Sequence, residues 1–200
     1  MRKRGFTLIE ILIVILLIGI LSVGALAGLT NINRSAELNQ VYEKIISMIQ
    51  QARNYAINGK QVPDYTDANH NGYKSDNIVP NAYGIYFEQA SNKYTVYLFA
   101  DYDNSSSKDS FQKPNPIDSI NASGGDDLII EQYELPERFV FNDDVAGITL
   151  LYYPPFGKFI INPDGSEKVE IKLCYTQCGT RNLEKQFTIY KNSSGLPEKQ

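Results

Sequence analysis

The chain has no tryptophan, one histidine and two cysteines in 200 residues, and its first proline is Pro63. Each scarcity removes a class of reading. His70 is the only imidazole, and no Ser or Cys stands in a recognisable nucleophile context, so a hydrolase triad lacks its parts. Cys174 and Cys178 have no second Cys or His pair nearby to complete a tetrahedral structural zinc site. A phosphate loop is missing too, because Gly124-Gly125 sits among Ser and Asn with no Lys-Ser or Lys-Thr after it. Asp126-Asp127 and Asp143-Asp144 are acidic pairs of the kind that turns carry, with no cleft implied around them. The chain reads as a non-enzyme. Basic charge is also short, at 19 Lys plus Arg against 23 Asp plus Glu and a formal net charge of −4. That balance disfavours a general nucleic-acid surface, which takes a basic stripe to replace phosphate counterions, and leaves DNA contact open only through a local patch.

What is present starts at the N-terminus. Arg2, Lys3 and Arg4 precede Gly5, and Phe6-Thr7-Leu8-Ile9-Glu10 then leads into an uncharged, mostly aliphatic run from Ile11 to Leu29. An ionised side chain at a bilayer centre costs roughly 2.5 to 3.5 kcal/mol on insertion scales, so Glu10 calls for a partner. Hydrolysis after Gly5 would create one. Phe6 would become a free α-amine four residues before Glu10, one helical turn away on the same face. A secretory signal peptide competes with this reading, since it too has a basic start and an apolar core, and Ala25-Leu26-Ala27 has the small-x-small form of its cleavage site. Against it stand the length of the apolar run, Glu10 inside that run, and helical sequence that continues past Ala27.

With no proline before Pro63, nothing in the sequence stops a helix that begins at Phe6. From Arg34 to about Asn58, Leu38, Val41, Ile45, Met48 or Ile49, Ala52 and Tyr55 or Ala56 recur at three- and four-residue steps. The other face carries Glu37, Gln40, Glu43, Lys44, Gln50, Arg53 and Asn54, so this half should leave the bilayer and lay its apolar stripe on a soluble domain. Gly59 and Pro63 supply the stop. A single helix from Phe6 to Asn58 would be about 80 Å long, far more than the roughly 30 Å of a hydrocarbon core, so it must serve two environments. Gly19, Gly24 and Gly28 fall in its first half; Gly24 and Gly28 make a small-xxx-small pair that permits close helix approach, although glycine is common in membrane helices for other reasons.

Beyond Pro63 the pattern changes to short apolar and aromatic runs between turn residues, the form of an antiparallel sheet. Candidate strands are Tyr83 to Gln89, Tyr94 to Ala100, Leu128 to Glu134, Arg138 to Phe141, Ile148 to Tyr153, Lys158 to Asn162, Lys168 to Tyr175 and Lys185 to Lys191. Tyr94, Val96, Leu98 and Ala100 alternate with Thr95, Tyr97 and Phe99, which predicts cover on both faces, one of them from the long helix. Cys174 and Cys178 suit a disulfide in an oxidising compartment, favoured here over free thiols, if a tight turn brings their Cα atoms to about 5.5 Å. Asp67, Asn69 and Asn71 alternate ahead of Gly72 as in the first half of an EF-hand loop, with Asp76 the only acid close enough to complete it; position twelve is Ile78, so a calcium site competes with a plain solvated loop. Asp101, Asp103, Ser105, Ser107 and Asp109 alternate in the same way without the glycine.

Two resemblances follow from these residues. Arg4-Gly5-Phe6-Thr7-Leu8-Ile9-Glu10, with small or apolar residues from Ile11 to Gly24, resembles the prepilin cleavage and methylation signal of type IV pilins and type II secretion pseudopilins. It implies a prepilin peptidase that cuts after Gly5 and methylates Phe6, other pilin or pseudopilin subunits and an inner-membrane assembly platform as partners, and lipid around the apolar helix. It also implies that Glu10 sets register by attracting the Phe6 amine of a neighbouring subunit. Cleavage would remove three of the 19 basic residues, leaving 16 against 23 acidic ones and a formal charge of −7. Less specifically, Gln51-Ala52-Arg53-Asn54-Tyr55-Ala56-Ile57, Tyr83-Gly84-Ile85-Tyr86-Phe87, Leu98-Phe99-Ala100-Asp101, Ile161-Asn162-Pro163-Asp164-Gly165 and Phe187-Thr188-Ile189-Tyr190 are similar to minor pilins and H-type pseudopilins. The expected fold is α+β, a long N-terminal helix packed on an antiparallel β-sheet or sandwich. Its segments would be a leader at 1–5, a transmembrane and assembly helix at 6–30, the amphipathic half of that helix at 31–59, and an extracytoplasmic head at 60–200. Rival readings are a domain secreted after Ala27, a membrane-anchored calcium-binding protein, and a DNA-uptake subunit with the same processing.

Overall fold

A computed structural model of the chain describes residues 8–63, 77–91, 93–101, 127–162, 167–179, 183–191 and 195–199, and of residues 23–31, 63, 143, 162 and 199 the backbone alone. The architecture of these residues is α+β with antiparallel sheets. Two compact units divide the chain, Met1–Glu37 and Leu38–Gln200. Helix α1, Leu8–Ile57, contributes to both. No proline interrupts it, and its end has a defined cause. Gly59 takes φ +55°, its N–H donates to the Ala56 carbonyl (3.2 Å), and the Lys60 N–H donates to the Tyr55 carbonyl (3.0 Å), a Schellman closure that satisfies the last turn. Glycine has no Cβ to resist that left-handed backbone.

In the second unit the apolar stripe of α1 meets the strands. Leu38, Val41, Tyr42, Ile45, Ile46, Met48, Ile49, Ala52 and Ala56 are all buried. Tyr42 and Ile46 broaden the stripe beyond the expected positions, both buried in the same core. The strands are β1 (Val62–Pro63), β2 (Asn77–Ile78), β3 (Ala82–Ala90), β4 (Lys93–Asp101), β5 (Leu128–Glu134), β6 (Phe139–Phe141), β7 (Thr149–Tyr153), β8 (Lys158–Asn162), β9 (Lys168–Tyr175), β10 (Glu184–Tyr190) and β11 (Glu198–Lys199). Five of them form one sheet in the order β5-β4-β3-β7-β8, and four form another in the order β11-β10-β9-β6. A short β1-β2 ladder pairs Val62 with Ile78.

One core joins the helix stripe to the inner faces of both larger sheets, including Tyr83, Ile85 and Phe87 of β3, Tyr94, Val96, Leu98 and Ala100 of β4, and Ile171, Leu173, Phe187 and Ile189 of β9 and β10. Aromatic edges lock the layers. Tyr42 on α1 meets Phe187 at 5.7 Å and Tyr55 meets Tyr83 at 5.6 Å, while Phe141 of β6 takes Phe87 and Tyr94 of the other sheet at 5.4 and 5.5 Å. Such edge-to-face pairs contribute about 0.5–1.5 kcal/mol each beyond their burial. Ala82, Phe99 and Leu151 form a second, smaller cluster on the opposite face of the five-stranded sheet, so β4 is covered on both sides as its alternation predicts. Gly84 makes that possible: it pairs with Phe99, and a Cβ there would stand 2.2 Å from the Phe99 ring. Asn142 extends the β6 edge past its last strand residue, accepting from the Lys172 N–H at Oδ1 (2.8 Å) and donating its own N–H to the Lys172 carbonyl (3.1 Å).

Candidate functional site

The candidate site is the start of α1, and its surface is unlike that of the rest of the described chain. Leu8, Ile9, Ile11, Leu12, Ile13, Val14, Ile15, Leu16, Leu17, Ile18, Ile20 and Leu21 are each between 49% and 83% exposed. These positions run consecutively through four turns, so the helix is apolar on all sides and no stripe is singled out. A helix of that kind is at rest only in lipid or among other apolar helices. At about 1.5–3 kcal/mol per fully buried large side chain, a dozen such residues represent tens of kcal/mol that burial from outside would release.

Glu10 is the acidic residue of the first described turn and is exposed. An ionised carboxylate in so apolar a stretch carries the cost of placing an ion in hydrocarbon. Ser22 handles its polarity internally, donating its hydroxyl to the Ile18 carbonyl one turn back at 2.7 Å. Gly19 has nothing within 4 Å of where a Cβ would lie, so its flank is open to an approaching surface. Gly24 and Gly28 lie within the same unbroken helix. That helix also runs through Ala25-Leu26-Ala27 without a break.

Other sequence expectations fall elsewhere. Gly5 and Phe6, the expected cleavage and methylation residues, lie outside the described residues, as do His70 and the calcium candidates Asp67, Asn69, Asn71 and Asp76. The second alternating loop is described only at Asp101, which is buried at the end of β4. Among the described residues no group of three or more His, Cys, Asp or Glu could hold a metal ion. Cys174, near the end of β9, and Cys178, in the connection to β10, are joined by a disulfide with Cα atoms 5.0 Å apart. Among the described residues no helix is long and apolar enough to cross a membrane.

Sequence reading missed a polar cluster where α1 ends. Lys60 sits over the Tyr55 ring, 3.5 Å from its centroid, and Gln51 donates to the Tyr55 hydroxyl. Hydrogen bonding from Lys60 is the main cause that holds the Tyr55 phenol below its ordinary range. Tyr83 donates its hydroxyl to the Lys60 carbonyl, and burial pushes its phenol up to about 12. Tyr152, buried in the core, donates to the Gly195 carbonyl at 2.6 Å and is likewise raised by burial. Gly59 and Pro63 signalled this region as a helix stop, but nothing in the sequence pointed to the contacts among Tyr55, Lys60 and Tyr83.

No curated protein and no solved structure matches the chain. Residues 1–26 match the family described as the prokaryotic N-terminal methylation motif. The stretch matched takes in Gly5, Phe6, Glu10 and the all-round apolar turns of α1 as far as Leu26. The chain therefore carries a type IV pilin-like prepilin signal, one that implies membrane anchoring, processing by prepilin peptidase and assembly with other pilin subunits.

Proposed function

We propose that this protein is a structural subunit of a type IV pilus or type II secretion filament, of the minor-pilin or pseudopilin kind. The observation that carries the reading is the start of α1, helical turns apolar on every side that lie within the matched methylation motif and bear one carboxylate, Glu10. The precursor would sit in the inner membrane with Arg2, Lys3 and Arg4 on the cytoplasmic side, following the positive-inside bias. Cleavage after Gly5 frees the Phe6 amine for methylation. Helices then exchange lipid for one another, and each Glu10 attracts the Phe6 amine of a neighbour. Register follows from energy: a subunit out of step would leave an ionised carboxylate without its cation in an apolar core, a loss of about 3–5 kcal/mol for a broken buried pair. The second unit, with its core closed around α1, would be the extracytoplasmic head. Its sandwich-like pair of sheets around a helix supports the minor-pilin and H-type pseudopilin comparison.

N-terminal mass spectrometry of the purified mature chain tests this reading. The expected first residue is N-methylated Phe6. A chain that begins at Gly28 would make the protein a secreted domain, and one that keeps Met1 would make it a plain anchored protein; either result overturns the proposal.

A further inference from the structure

Past Ile32, the large apolar side chains of the described residues are buried or part-buried with few exceptions, and one stands apart: Phe156 is 90% exposed, against 44% for Val79 and 39% for Ile57. It occupies the tip of the β7-β8 hairpin, in Pro154-Pro155-Phe156-Gly157. The turn is stiff. Two prolines restrict its backbone, and the Gly157 N–H donates to the Tyr153 carbonyl at 2.8 Å. Gly157 has φ +65°, and a Cβ there would stand 3.0 Å from the Ile57 side chain, so the turn lies against the end of α1. A phenyl ring presented on a stiff turn loses little freedom when it docks, which is the form an interface anchor takes.

Its size decides what kind of partner it suits. A phenylalanine side chain buries about 150–250 Å², whereas a stable complex of freely diffusing proteins takes about 800 Å² from each side. Phe156 with Pro155 and Ile57 beside it falls well below that. So small a contact holds only a partner that is already tethered nearby, where the second contact forms at an effective concentration in the millimolar range. The described residues contain one surface able to provide such a tether, the exposed apolar stretch from Leu8 to Leu21.

We propose that Phe156 is an interaction anchor for the head of a neighbouring filament subunit that carries an apolar N-terminal helix of the same kind. The proposal rests on the filament reading above. Its test places a photo-crosslinking benzoyl-phenylalanine at position 156 of the full-length chain in the producing cell, with the crosslinked partner identified by mass spectrometry. The expected partner is another copy of this chain or another subunit with a prepilin-type N-terminus. Phe156→Ala should lower recovery in the filament fraction about tenfold, the effect of truncating an aromatic anchor, with an unchanged melting temperature, and Phe156→Leu should restore most of it. A chain that starts at methylated Phe6 and enters filaments, yet gives no subunit adduct or tolerates Phe156→Ala fully, would overturn the anchor and leave the filament reading standing. An adduct with a protein lacking such a helix overturns the anchor as well. Failure to process or polymerise removes the filament reading itself, and the anchor with it.

Discussion

Helix α1 carries two surfaces of similar hydrophobicity and opposite fate. From Leu8 to Leu21 its large side chains are at least 49% exposed, whereas Ile45, Met48, Ile49, Ala52 and Ala56 are 0% exposed. The second half has its partner in the same chain, so its residues divide into an apolar stripe and a polar back that holds Glu43 and Gln50 in solvent. The first half shows no such division. A partner that surrounds a helix, as lipid or a bundle of copies does, selects against polar residues on every face, and the single carboxylate there becomes the informative exception.

The contrast can be broken most forcefully by matched truncations. Ile45→Ala should destabilise the head by about 2–5 kcal/mol, since it opens a cavity in a closed core, while Ile13→Ala should leave head melting unchanged. Thermal unfolding of the full-length chain in detergent, followed by tyrosine absorbance in the absence of any tryptophan, measures both. Equal losses would mean that the first half also has its partner within the chain.

Two glycines sharpen the comparison further. Gly84→Ala drives a methyl into the Phe99 ring and should cost about 1–3 kcal/mol as overpacking. Gly19→Ala meets nothing within 4 Å and should not lower head stability. A neutral Gly84→Ala would show that the Phe99 side of the sheet is loosely packed.

The smallest effect is a pH dependence expected of the head alone. Tyr83 is raised to about 12 from an ordinary value of 10.0, so the folded state holds this proton more tightly than the unfolded chain. Its contribution is fully present below pH 10 and is lost as pH rises from 10 toward 12, a direction that buried Tyr152 reinforces and Tyr55, whose phenol is lowered, opposes. Tyr83→Phe should flatten the alkaline fall in melting temperature over that window. An unchanged slope would show that Tyr83 does not couple its proton to folding.

Much of the head was legible because its signals are local. All eight expected strands are present, three with the expected bounds (β5, β8 and β9) and five with one or both ends shifted by one residue; Arg138 precedes β6 rather than opening it, and β10 starts at Glu184, which pairs with Cys174. The missed elements lack any pattern to read. Strands β1, β2 and β11 are two residues long, and Glu198-Lys199 is held by pairing with Phe187 and Thr188 rather than by any apolar alternation of its own. Asn142 and Gly84 were equally invisible, since their roles depend on Lys172 and Phe99 across a strand pair. At the candidate site the reverse applies: Gly5, Phe6 and Glu10 were readable as a motif, but on the filament reading proposed above the partner for Glu10 belongs to a neighbouring subunit, beyond the reach of this chain's own pattern.

The most direct measurement is the fate of Glu10→Val in cells, read as cleavage after Gly5, head melting temperature and recovery in sheared filaments. The account predicts normal cleavage, an unchanged head and little or no filament incorporation, because the helix would still enter lipid but could no longer fix its register. Incorporation at the level of the unaltered chain would contradict it.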